Sequence, residues 1–304
     1  MSRERPTPPD PNPVLSVMRA VLAATTALTV LMSGCASGSV SGPAVRPPTE
    51  QPTPSSVGAS SAVDPMTTPT VDGSFAVDGK RSLTLRCWGM GSPVIVYDAG
   101  SGTDGLSLWP TRSVMTEMAR TNQVCTYDRA GLGESDPAPN RKRVLDDAVH
   151  DLHQLLAAAK VAGPYILVGS SGRGFNVYQH AGRFPKEVAG LVMLDVPRGQ
   201  AKMSAEDVKA LAWDAPGNPE HMDYVAIERQ MALHRLPIRP IPVTVITADA
   251  GQSATNPDEQ KIWLTGSSNP VHIVLSGGHD IYDDNPQGVI DQIQQVLKLV
   301  QEDR

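Results

Sequence analysis

From residue 81 onward, short apolar segments of strand length alternate with longer amphipathic segments, and this alternation constrains the fold more than any other feature. The predicted strands cover residues 81–88, 94–97, 123–127, 165–168, 190–194, 242–247 and 271–275. The predicted helices cover 144–160 and 174–184, and a closing helix begins at Asn285-Pro286. Strands that alternate with helices form a parallel sheet covered on both faces. The sequence therefore predicts an α/β fold, whose chemistry lies at the carboxyl ends of the strands.

Composition narrows the classes of function. The net charge of −6 argues against a nucleic-acid partner, because such proteins carry a basic surface. No apolar run reaches the roughly 18 residues that a membrane-spanning helix needs, so a polytopic membrane protein is not expected. The 3 cysteines include no C-x-x-C pair, which argues against a zinc ribbon and against a disulfide-rich scaffold.

The N-terminal part of the chain predicts export. Ala20–Met32 is uncharged, apolar and too short to span a bilayer, as in the core of a signal peptide. Small residues before Cys35 resemble a bacterial lipobox, which implies cleavage of 1–34, lipidation of Cys35 and anchoring outside the cytoplasm. An ordinary secretory signal with an incidental cysteine is the alternative, and translation from Met18 would also leave a complete signal peptide. Residues 35–71, rich in Pro, Ser and Thr, predict a disordered tether before a globular domain at 72–304.

A serine follows the predicted strand 165–168, in the sequence Gly169-Ser170-Ser171-Gly172-Arg173-Gly174. A serine on a sharp turn between a strand and a helix presents its hydroxyl at the sheet edge, and small neighbours let the strand and helix approach. Arg173 stands where the G-x-S-x-G pattern has its second glycine. It either forces the turn out of shape, or points outward while Gly174 makes the close contact.

Two further glycine-rich loops follow predicted strands. His279 lies in Ser276-Gly277-Gly278-His279-Asp280, where it is placed to act as the base for a serine on a neighbouring loop. Asp98-Ala99-Gly100-Ser101-Gly102 follows another strand, and its backbone N–H can join that of Gly172 in an oxyanion hole. A simple tight turn is the alternative for this second loop.

These motifs, together with Tyr127–Ser135 (Y-D-R-A-G-L-G-E-S), resemble the α/β-hydrolase superfamily in chain order over about residues 81–301. The chain looks most like secreted bacterial esterases and lipases. The resemblance implies an eight-stranded, mostly parallel sheet with a short helical cap after the sixth strand, at about 197–241. It also implies a Ser–acid–His triad with Ser171 as nucleophile and His279 as base, and an oxyanion hole formed by Ser101 and Gly172.

The acid of the triad has more than one candidate. The superfamily usually places it after the seventh strand, which points to Asp249. A minority of members place it after the sixth strand, which points to Asp195, and Asp258 is a third choice. We take Asp249 as the first expectation and Asp195 as the alternative.

The implied fold makes the strands of Cys87 and Cys125 neighbours, so these residues are expected to form a disulfide. Two buried free thiols are the alternative, but the exported compartment favours oxidation.

The resemblance implies an enzyme that cleaves carboxylic esters through an acyl-enzyme, without a metal or cofactor. We expect it to act at the cell envelope on a small-molecule or lipid ester, held to the membrane by its lipid anchor, or to be secreted if the lipobox is not used. The alternative is a catalytically inactive hydrolase-fold lipoprotein that binds a ligand, because Arg173 replaces the usual glycine.

Overall fold

The computed structural model describes residues 64–106, 112–251 and 256–303. Its strands are β1 Val71–Ala76, β2 Ser82–Trp88, β3 Val94–Asp98, β4 Val124–Tyr127, β5 Tyr165–Ser170, β6 Val188–Leu194, β7 Pro242–Ala248 and β8 Asn269–Leu275. They form one 8-stranded sheet in the order β1-β2-β4-β3-β5-β6-β7-β8. Strand β2 is antiparallel to both of its neighbours, and the other pairs are parallel. The predicted eight-stranded, mostly parallel sheet is confirmed.

Helices cover both faces of this sheet. They are α1 Arg112–Met118, α2 Leu145–Ala158, α3 Gly174–Arg183, α4 Ala205–Ala210, α5 Tyr224–Leu233, α6 Ile281–Asp284 and α7 Pro286–Glu302. Apolar residues of α2 and α3 pack on one face of the sheet, and those of α1 and α7 pack on the other. Alternate residues of β3 enter the two core clusters, and all five are buried. This double burial explains why β3 is almost wholly apolar.

Strand β1 was not among the predicted strands. It begins at Val71, the last residue of the predicted tether, and pairs only with β2 at the edge of the sheet. Its residues alternate between half-buried and exposed. A strand with one neighbour and one half-buried face carries too few apolar residues to stand out in a sequence.

The predicted disulfide between Cys87 and Cys125 is present. The two residues lie directly opposite each other on the antiparallel strands β2 and β4, and both are fully buried. The bond therefore joins adjacent strands in the antiparallel part of the sheet, next to the edge strand β1.

The predicted signal peptide 1–34, Cys35 and most of the predicted tether lie outside the described residues. Within the described ranges, no helix combines the length and apolar character needed to cross a bilayer.

Candidate active site

The turn after β5 holds Ser171 in a left-handed conformation. Ser171 has φ of +56°, begins a 3-10 turn that ends at Arg173, and is only 7% exposed. Such backbone costs a residue with a Cβ on the order of 1–3 kcal/mol and persists only where the surroundings hold it. Helix α3 begins directly after the turn. The fold thus tolerates a destabilising backbone conformation at the residue that places a serine at the carboxyl end of a central strand.

Two glycines close this turn. A Cβ on Gly169 would lie 2.6 Å from the Val177 Cγ2 atom and 2.8 Å from the Gly174 Cα atom. A Cβ on Gly174 would overlap both methyl groups of Val196. Gly174, rather than residue 173, therefore makes the second close contact, as one of the two sequence alternatives expected.

Arg173 does not point outward. Its side chain is buried, with the Nη2 atom 2.6 Å from Glu220 Oε1 and 2.7 Å from the Tyr224 hydroxyl oxygen. Its guanidinium also lies over the Tyr224 ring, 5.5 Å from the centroid. The alternative of an outward-pointing Arg173 is wrong in its direction, because Glu220 and Tyr224, between β6 and β7, offer this cation partners away from solvent.

His279 contacts the carboxylate that follows β6. Its Nδ1 atom lies 2.6 Å from Asp195 Oδ2, and Asp195 is fully buried. A carboxylate only accepts hydrogen bonds, so Nδ1–H donates to it and Nε2 is the ring nitrogen that can take up a proton. Asp195 was the alternative candidate for the acid.

Asp249 and Asp258, the other two candidates, lie elsewhere. Asp249 Oδ1 accepts a hydrogen bond from the Gly277 backbone N–H at 2.9 Å and so supports the loop of His279. Asp258 is exposed and pairs with Lys261 at 2.6 Å. The structure thus brings Asp195, and neither of these, to the imidazole.

Ser171 and Asp195 leave the sheet side by side. Ser170 and Leu194 are register partners at the ends of the parallel strands β5 and β6, so the residues after them emerge at the same edge. His279 follows β8, whose carboxyl end lies at that edge as well. The topology gathers a serine, a carboxylate and a histidine from three separate loops.

Gln260 also contacts the buried carboxylate, and sequence reasoning missed it. Its Nε2 atom donates to Asp195 Oδ1 at 3.2 Å, and its own Oε1 accepts from the Thr247 hydroxyl at 3.0 Å. Asp195 itself has φ of +44°, and a Cβ on Gly251 would overlap its carboxylate. No motif surrounds Gln260, so nothing in the sequence could have indicated this role.

The loop after β3 passes beside Ser171. A Cβ on Gly100 would lie 3.9 Å from Ser171 Cβ, and Ser101 is buried. Arg129 holds this loop by donating to the carbonyl oxygens of Ala99, Gly100 and Thr103 at 2.8, 2.9 and 3.0 Å. The D-R-x-G motif was the signal for Arg129, although sequence analysis assigned it no function.

Residues 197–241, the predicted cap, contain α4 and α5 and are called the cap segment below. On α5, the buried carboxylate of Glu228 accepts a hydrogen bond from the Gln200 N–H at 2.9 Å. Burial raises the pKa of Glu228 from 4.5 to about 7, although this N–H favours the charged form. Between these two values the folded protein holds a proton that the unfolded chain has lost, so the free energy of unfolding falls as the pH rises.

Glu228→Gln is therefore expected to stabilise the protein more at high pH than at low pH. The gain in the free energy of unfolding should be on the order of 3 kcal/mol at pH 8 and under about 1 kcal/mol at pH 5. Urea denaturation of both proteins at the two pH values measures it. Equal differences at pH 5 and pH 8 would contradict the assignment of the shift to Glu228.

The sheet order, the antiparallel second strand and the loops that meet at one edge define the α/β-hydrolase fold. Among solved structures, the thermophilic esterase from Thermogutta terrifontis is 19% identical with a TM-score of 0.59, over 75% of this chain and 98% of that one. The enol-lactonase from Burkholderia xenovorans LB400 is 16% identical with a TM-score of 0.59, over 74% of this chain and 99% of that one. At these identities the likeness is one of fold alone.

Sequence relatives match only part of the chain. "Probable transporter efuK" of Hormonema carpetanum is 36% identical over 108 residues, 34% of this chain and 15% of that protein. The uncharacterised protein YqjL of Bacillus subtilis (strain 168) is 31% identical over 134 residues, 44% of this chain and 51% of that protein. The chain thus spans about half or less of the length of these relatives, and no protein-family model matches it.

Proposed function

We propose that this protein is a serine hydrolase that cleaves carboxylic esters through an acyl-enzyme. Ser171 is the nucleophile, His279 the general base and Asp195 the acid, while the N–H groups of Ser101 and Gly172 bind the oxyanion. The observation that carries the proposal is the His279–Asp195 contact of 2.6 Å at the sheet edge where Ser171 sits on a strained turn. Asp195 replaces Asp249, our first expectation, because it is the carboxylate at the imidazole.

The proposed reaction has two half-steps. Ser171 Oγ attacks the ester carbonyl carbon as its proton passes to His279 Nε2, and the oxyanion accepts hydrogen bonds from the N–H groups of Ser101 and Gly172. The carbon–alkoxide bond then breaks, and the leaving alkoxide takes the proton from His279. Water attacks the acyl-enzyme with its proton passing to His279, which returns it to Ser171 as the acid leaves.

We further propose that the enzyme works at the cell envelope, anchored by a lipid on Cys35 and held off the membrane by the tether. The lipobox-like sequence supports this location. The buried disulfide between Cys87 and Cys125 also supports it, because disulfides persist in oxidising compartments. The substrate is then an ester that reaches the outer side of the membrane.

The alternative of an inactive binding protein depended on Arg173. With Arg173 present, Ser171 keeps its positive φ and Gly174 still lies against Val196. The reason for expecting a damaged turn is therefore removed, and we favour the enzyme over the inactive binding protein.

A fluorophosphonate tests the proposal, because an activated serine displaces its fluoride and forms a stable phosphorus–oxygen bond. We expect a single adduct in the intact mass of the full chain, and its loss in Ser171→Ala. Ser170→Ala is the matched control, since it removes the adjacent buried serine of the same turn and should keep the adduct. Folded protein that forms no adduct, or an equal adduct on Ser171→Ala, would overturn the assignment.

A further inference from the structure

Glu220, in the cap segment, is a buried carboxylate shared by two arginines. Its Oε2 atom lies 2.9 Å from Arg129 Nε and its Oε1 atom 2.6 Å from Arg173 Nη2. Burial alone would raise the pKa of Glu220, but Arg129 and Arg173 outweigh burial and hold it at about 2. The carboxylate is thus ionised at any pH where the protein is expected to work.

Through Arg129, Glu220 is linked to the first half of the proposed oxyanion hole. Arg129 has five N–H donors. Its Nε donates to Glu220, one Nη1 donor goes to Asp98, and the remaining bonds reach the three carbonyl oxygens of the 99–103 loop already described. The Nε bond and a longer Nη2 contact of 3.4 Å to Glu220 Oε1 thus tie the group that holds the loop of Ser101 to the cap segment.

Through Arg173, Glu220 is linked to the second half. Arg173 follows Gly172 directly in the 3-10 turn. Its hydrogen bonds go to Glu220 and to the Tyr224 hydroxyl, both in the cap segment, and its Nε has no partner among the described residues. Glu220 and Tyr224 thus hold this buried cation, which belongs to the same turn as Gly172.

The backbone around Glu220 is fixed against the body of the domain. Gly131 has φ of +84°, and a Cβ there would overlap the Pro219 carbonyl oxygen. Only glycine therefore lets these two segments of the chain approach each other. The Arg143 Nη1 atom donates to the Glu220 carbonyl oxygen at 3.1 Å. Glu220 is therefore seated rigidly enough to position what it holds.

We infer that Glu220 is a positioning residue that aligns the two halves of the oxyanion hole, the Ser101 loop through Arg129 and the Gly172 turn through Arg173. This inference rests on the proposed function, since it assumes that those N–H groups bind an oxyanion. It also gives Arg173, where the usual pattern has glycine, a role in joining the cap segment to the nucleophile turn. A hole aligned in this way is complete only when the cap segment is seated.

Oxyanion donors act in the transition state, so the inference predicts a particular kinetic signature. Glu220→Gln should lower kcat for a p-nitrophenyl ester by roughly 10- to 100-fold, with KM within about threefold. The Ki of a trifluoromethyl ketone with the same acyl chain, which forms a tetrahedral adduct with a serine, should rise by a similar factor. The pH at which activity reaches half its maximum should not change, because Asp195 and His279 are untouched.

Arg173→Met is the second variant, since Glu220→Gln leaves two buried cations short of a carboxylate and can fail to fold. Arg173→Met should also lower kcat and raise Ki, by a smaller factor than Glu220→Gln does. Glu228→Gln is the matched control: it removes another buried carboxylate of the cap segment and should leave kcat, KM and Ki unchanged.

Folded Glu220→Gln with unaltered kcat and Ki overturns the inference. If that variant does not fold, unaltered values in Arg173→Met overturn it. In either case a wild-type protein that still labels on Ser171 leaves the proposed function standing. A wild-type protein that neither reacts with the fluorophosphonate nor hydrolyses esters would overturn both the proposed function and the positioning role of Glu220.

Discussion

Asp195→Asn is expected to lower kcat for ester hydrolysis by roughly 10⁴-fold. The neutral amide cannot stabilise the imidazolium that forms when His279 takes the serine proton. Its NH₂ group also faces Nδ1 as a donor where the carboxylate accepted, which disfavours the tautomer that the reaction needs. The measurement is kcat on a p-nitrophenyl ester, together with the rate of fluorophosphonate labelling of Ser171.

Asp249→Asn is the matched control, because it makes the same chemical change at the other strand end. The Asn oxygen can still accept the Gly277 N–H, so the loop of His279 keeps its hydrogen bond. We expect less than about a tenfold loss. A large loss in Asp249→Asn with a small one in Asp195→Asn would mean that the acid of the triad lies after β7.

Gly174→Ala should destabilise the protein by about 2–3 kcal/mol, although the residue opens a helix. Alanine would gain up to about 1 kcal/mol from helix propensity. The clash of its Cβ with both methyl groups of Val196 outweighs that gain, since both residues sit in a packed interior. Urea denaturation measures the loss, and kcat should also fall because Val196 adjoins Asp195.

Val196→Ala in the same chain should recover part of the stability, because it removes the two overlapping methyl groups. Gly79→Ala is the control: nothing lies within 4 Å of a Cβ there, and the change should stay within about 0.5 kcal/mol. A Gly174→Ala protein as stable as this control would show that residue 174 does not make the close contact.

The acid of the triad shows where sequence reasoning reached its limit. Asp195 and Asp249 both follow parallel strands and both emerge at the same sheet edge. The choice between them depends on the path of each loop: Asp195 takes a positive φ, and Gly251 leaves room for its carboxylate. These are steric relations between residues far apart in the chain, and spacing along the sequence does not record them.

Arg173 shows the same limit at a single residue. In its sequence context, Arg173 is a long cationic side chain in a turn that favours glycine. Its partner Glu220 lies 47 residues further on, and Arg129 reaches the same carboxylate across 91 residues. Because a buried charge is tolerated only with a partner, the direction of Arg173 depended on a contact that forms only when the cap segment packs against the nucleophile turn.

The features that the sequence determined by itself are local ones. The alternation of apolar strands and amphipathic helices specified the α/β class, and the order of glycine-rich turns placed Ser171 and His279 at strand ends, because these features are set within a few residues. Tertiary structure alone decided which carboxylate meets His279, that Gln260 holds it, and that Glu220 joins Arg129 to Arg173. Those contacts join loops distant in sequence, and only the packing of the sheet and cap segment brings them within hydrogen-bonding distance.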